Sequence, residues 1–87
     1  MRIKDGFLLR ETAGKFIVLP LGGELDLGSL ITLNETGAFV WRILEDGASR
    51  EELLEALLAE YDVDKERAEK DLDALLAKMN AVGVLED

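Results

Sequence analysis

The chain has 87 residues, of which 48% are hydrophobic, and its 19 acidic against 10 basic side chains give a formal charge of −9. With no Cys and no His, it excludes thiol nucleophiles, disulfides, zinc sites of Cys/His type and Ser–His catalysis. An acidic surface repels phosphate backbones, so nucleic acid is not an expected partner. The N-terminal "MRIKDGFLLRE" has no apolar run of signal-peptide length and no stretch approaches membrane-spanning length, so the expectation is a cytoplasmic, non-membrane protein forming a single domain over residues 1–87. Fraying is expected only at the extreme termini.

In chain order, "FLLRET" and "KFIVLPL" are short runs rich in strand formers, joined at "AG", where Gly14 can take the left-handed conformation of a hairpin turn. The second run is apolar on both faces, and Pro20 belongs at its end or at a sheet edge. A "GG" turn at Gly22 and Gly23 follows. Leu25, Leu27, Ile31 and Leu33 then share one parity while Asp26, Gly28, Leu30 and Thr32 share the other. That period of two places a third strand at about residues 29–33.

Three helices follow, each with its own punctuation. Asn34 caps the first, with Ala38, Val40, Trp41 and Leu44 turned inward and Gly47 as its stop. Ser49 and Glu52 have the spacing of a capping box for the second, whose Leu53, Leu54, Ala56, Leu57 and Leu58 suit a largely buried helix. Asp64 caps the third, where Ala68, Leu72, Leu75, Leu76, Met79 and Val82 recur at three- and four-residue spacing before Gly83. The expected class is α+β and winged-helix-like, a three-stranded N-terminal antiparallel sheet followed by three helices.

Candidate chemistry reduces to structural roles. Asp62, Asp64 and Glu66 alternate like the first ligands of a calcium loop. Arg67 stands where that loop needs Gly, however, and Asp73 where it needs a bidentate Glu. Asp64 and its neighbours read instead as a cap and first-turn acids favoured by the helix dipole. The remaining carboxylates fall on polar helix faces, which do not provide the burial that general acid and base catalysis requires. Ser29 and Ser49 have no His partner, and Gly22, Gly23 and Gly28 match no phosphate-binding loop. Trp41 reads as a core anchor, because burying an indole contributes several kcal/mol at ~25 cal/mol per Å². A helix-turn-helix reading of the last two helices fails on charge: Lys65, Arg67, Lys70 and Lys78 are interleaved with Glu66, Glu69, Asp71 and Asp73. The sequence is that of a non-enzyme, with no cofactor or metal site expected.

The junction "LNETGAFVW", residues 33–41, together with "GFLLRE", "KFIVLPLG", "LLAEYDVD" and the closing "AVGVLED", resembles the PqqD family, named for coenzyme PQQ synthesis protein D. The resemblance implies a domain that binds the leader of a ribosomally made precursor peptide and presents it to a modifying enzyme, often a radical S-adenosylmethionine (SAM) enzyme. It further implies that the leader adds as a strand to the third strand, in a groove shared with the third helix. On this chain those contacts fall on Leu30, Ile31, Thr32 and Leu33 and on Asp71, Leu75, Lys78 and Val82, with Leu76 and Asn80 as the alternative flank. Strand addition suits the physics, since a small open sheet leaves edge N–H and C=O groups for an extended peptide, or for a second copy in a homodimer. The acidic charge favours a leader carrying Lys or Arg. Two rivals remain: a subunit that stabilises a partner enzyme without binding peptide, which Ile31→Pro would not affect, and a DNA-binding regulator.

Overall fold

The computed structural model of the protein describes residues 1–20 and 31–86. Its elements are β1 (Arg2–Ile3), β2 (Phe7–Thr12), β3 (Lys15–Pro20), β4 (Ile31–Leu33), α1 (Glu35–Asp46), α2 (Arg50–Glu60), α3 (Lys65–Ala81) and β5 (Leu85–Glu86). The α+β class and the antiparallel three-stranded sheet, in the order β2-β3-β4, agree with the sequence reading. The turn at Gly22 and Gly23 and the first residues of the third strand lie outside the described residues.

The β2–β3 hairpin closes at Ala13 and Gly14, both at positive φ, with Thr12 opposite Lys15. Register then sorts the side chains. Leu9, Val18 and Ile31 lie across from one another on the face that meets the helices, with Val18 and Ile31 buried. Leu8 and Leu19, with Arg10, Ile17 and Thr32, share the opposite face, where Leu8 is 42% exposed. This explains why β3 is apolar on both sides: one face enters the core and the other carries half-buried Ile17 and Leu19.

Each helix starts where its cap predicts. Gly37 N–H donates to Asn34 Oδ1 (2.8 Å), the Ser49–Glu52 box is complete in both directions (3.1 Å each), and Arg67 N–H donates to Asp64 Oδ1 (2.8 Å). At the far end of α1, Gly47 takes φ +98° and donates to the carbonyls of Ile43 and Leu44, a geometry that a residue with a Cβ adopts only with strain. Trp41, 1% exposed, lies in a core with Val18, Ile31, Leu33, Leu44, Leu53, Leu72 and Met79. At the rim of the core, Phe39 meets Tyr61 edge-on (centroids 5.6 Å apart) and the Arg42 guanidinium lies over Phe16 (5.6 Å).

One feature departs from the sequence reading. β1 and β5 form a second, two-stranded antiparallel sheet, pairing Arg2 with Glu86 and Ile3 with Leu85. Residues close to both ends are packed and paired: Ile3 and Val84 are buried, and Lys4 N–H donates to Val84 C=O at 2.8 Å. Among the described residues no helix is long and apolar enough to cross a membrane.

A groove between the edge of β4 and α3

β4 uses one edge to pair with β3, and no other described strand takes its second edge. Facing that edge is α3, and between them runs a groove of about 630 Å³. Its strand side is Thr32, Leu33 and Asn34, continuing into Thr36 and Gly37 of the first turn of α1. Its helix side is Arg67, Asp71, Ala74, Leu75 and Lys78. Arg67, Asp71, the adjacent pair Ala74 and Leu75, and Lys78 are spaced three and four apart, which places them on one face of α3.

Of the residues expected to contact a peptide, the structure brings together Thr32, Leu33, Asp71, Leu75 and Lys78 in this groove. Ile31 is not on its surface: at 2% exposure its side chain belongs to the core, as the alternation along β4 requires. Val82 also falls outside the lining and packs against the core beyond the end of α3. Leu30 lies outside the described residues. The alternative flank is not part of the groove, since neither Leu76 nor Asn80 lines it.

Sequence reasoning did not assign Arg67 or Ala74 to the peptide site, although both were within its reach: Arg67 stands four residues before Asp71, and Ala74 four before Lys78. Asn34, Thr36 and Gly37 carried a subtler signal, a glycine inside the first turn of a helix. A Cβ at Gly37 would come within 3.2 Å of the Leu33 Cβ and 3.3 Å of Asn34 Oδ1. Glycine lets the start of α1 close tightly on the end of β4 and keeps that corner of the groove open.

The polar contacts of the groove are few. Lys78 Nζ reaches across it and donates to the Thr32 carbonyl at 3.2 Å. Arg67 Nε lies 3.6 Å from Asp71 Oδ2, a loose, exposed pair. Lys78 has no carboxylate partner among the described residues. Since a strand residue points its N–H and C=O the same way, the Thr32 carbonyl facing Lys78 places the Thr32 N–H on the groove side as well. A smaller, mostly apolar cavity of about 80 Å³, lined by Thr36, Leu57, Tyr61, Val63, Ala68 and Asp71, adjoins the groove through Thr36 and Asp71. Among the described residues no cluster of three or more acidic side chains is placed to hold a metal ion.

Comparison with known proteins places this geometry. No curated protein matches the chain. Two solved structures superimpose over 99% of it. One is described as TbiB1 in complex with the TbiA(beta) leader peptide (30% identity, TM-score 0.77, 95% of that chain covered). The other is a lasso peptide synthetase B1 complexed with the leader peptide (26% identity, TM-score 0.75, 96% covered). The profile of coenzyme PQQ synthesis protein D (PqqD) matches residues 8–85, nearly the whole of the chain. By that match, and by the relatives that share its fold from end to end, the chain belongs to the PqqD family.

Proposed function

We propose that residues 1–87 act as one non-catalytic recognition domain that captures the leader of a ribosomally made precursor peptide and hands it to a modifying enzyme. The leader adds as a strand along β4 and lies in the groove against α3. The observation that carries this reading is the second edge of β4, which no described strand pairs and which opens on the groove lined by β4 and α3. Unpaired edge N–H and C=O groups are what strand addition satisfies, and side-chain contacts along α3 supply selectivity. Both structural relatives were solved with leader peptides, which supports the same ligand class here.

For the enzyme that receives the peptide, the family resemblance favours a radical SAM enzyme, whereas the name of one structural relative favours lasso peptide maturation. Co-purification of this chain with each candidate enzyme encoded nearby distinguishes the two.

The test is an amide NMR titration of the labelled protein with the leader of a short peptide encoded beside it. Shifts are expected at residues 31–33 and along 67, 71, 74, 75 and 78. Thr32→Pro is the informative variant, because it deletes one groove-side N–H while Thr32 itself is exposed. Ile31→Pro would disturb the core and confuse binding with unfolding. Thr32→Pro should keep a native spectrum and lose the shifts. If the wild type shows no shifts at millimolar leader, or if folded Thr32→Pro binds equally well, strand addition is wrong and a subunit that stabilises its enzyme without touching peptide takes its place.

A further inference from the structure

The chain as a whole is acidic, with a formal charge of −9, but the described lining of the groove is not. Among the described residues its charged groups are Arg67 and Lys78 against Asp71, two cations and one anion, or a local net of plus one. Arg67 and Asp71 are already within 3.6 Å of each other. This leaves the Lys78 ammonium, which makes no ion pair among the described residues and donates only to the Thr32 carbonyl.

That carbonyl is the acceptor an added strand would use. When a peptide N–H takes it, Lys78 loses its one described partner while a peptide is laid alongside it. An ammonium on a flexible four-carbon stem can turn to a new acceptor without moving the backbone. The exchange costs little at the old site, because one exposed lysine-to-carbonyl hydrogen bond contributes only a small net stabilisation. It gains most if the new acceptor is a carboxylate, since charge-assisted bonds between two ions are the stronger kind.

We propose that Lys78 is a specificity-determining residue that selects a leader carrying Asp or Glu at one fixed position, beside the peptide residue that donates to the Thr32 carbonyl. The inference rests on the peptide-binding reading above and reverses the expectation, drawn from net charge alone, of a basic leader. Range decides between the two. At physiological salt the field of the whole surface is screened over about 8 Å, whereas the Lys78 contact is made at hydrogen-bond distance within a groove that the bound peptide itself covers.

The test requires no knowledge of the natural leader. Displayed, fully randomised peptides are selected against the intact wild-type protein, and in parallel against Lys78→Glu and Lys78→Gln, each first shown to melt like the wild type. Wild-type winners are expected to share Asp or Glu at one position relative to a common apolar pattern, Lys78→Glu winners to carry Lys or Arg there, and Lys78→Gln winners to show no preference. A single winning peptide should bind Lys78→Gln about fivefold more weakly, the range of a partly exposed ion pair. Winners that shift the amides of residues 31–33 without an acidic preference would overturn the role of Lys78 and leave peptide capture standing. Tighter binding to Lys78→Gln would do the same, by showing that the lysine only obstructs the edge. Failure to enrich any peptide would overturn both readings.

Discussion

Ala13 sits at φ +51°, and Gly14 beside it at φ +78°. A two-residue hairpin with both central residues left-handed matches the twist of its strands, yet an ordinary L-residue there is held in a conformation costing roughly 1–2 kcal/mol. The sequence marked Gly14 as the turn residue but gave no sign that Ala13 would share its conformation, because alanine is common in turns and helices alike. Ala13→Asn should relieve part of that strain and stabilise the protein by about 0.5–1 kcal/mol, with a rise in Tm measured by circular dichroism. An unchanged or lower Tm would mean that the turn tolerates alanine without strain. Asn34, in contrast, was legible from its position alone. A residue favoured at caps, directly after a strand of alternating burial, fixed the β4–α1 junction and with it one end of the groove.

Between elements, the principal polar link joins α2 to α3. Arg50 donates to both oxygens of Asp73, at 2.7 and 2.9 Å, and this paired bond holds the Asp73 carboxyl below the ordinary carboxylate range and raises the pKa of Arg50. A carboxyl that binds its proton more weakly folded than unfolded adds stability that is fully present above the unfolded pKa, near ~3.9, and is lost as pH falls through the lower folded value. Asp73→Asn is therefore expected to lower Tm at neutral pH, with the gap to wild type closing as pH drops below about 4. A gap that persists undiminished into strong acid would show that the pair contributes through shape rather than charge. The sequence could not reveal this link, since residues 50 and 73 belong to separate helices and each reads singly as a solvated charge. The groove face of α3 was partly legible: Asp71, Leu75 and Lys78 follow from helical spacing, whereas Val82 stands past the end of the helix, where that spacing no longer applies.

Across the whole molecule, the least legible feature is the β1–β5 sheet. Two residues per strand are too few for any period to show, and "VGVLE" reads as the exit of a helix rather than a strand. Burial explains what a pattern could not: Ile3 and Val84 meet the core near the C-terminal end of α1 and past the end of α3, and the pairing satisfies backbone groups that this burial would otherwise leave unpaired. The β2–β3 hairpin was legible from its strand-forming residues and the turn at Gly14, and the helices because each carries several turns of its period behind a recognisable N-cap.

The lysine laid over the edge of β4 also bears on how the protein lives at high concentration. An open strand edge invites its own copy, and a twofold pairing of β4 with β4 is isologous, so each residue at that seam meets its symmetry mate's surroundings. Such a seam would bring two Lys78 ammoniums toward each other and displace both from their carbonyls, on top of the repulsion between two chains of charge −9. The same cation that a carboxylate-bearing peptide would neutralise is left uncompensated by a second copy. Sedimentation at low salt should accordingly find a monomer, and Lys78→Gln should associate more readily than the wild type; a wild-type dimer insensitive to that substitution would place self-association elsewhere on the surface. A monomer in that experiment would mean that the lysine proposed to select a peptide also keeps the edge from pairing with its own copy.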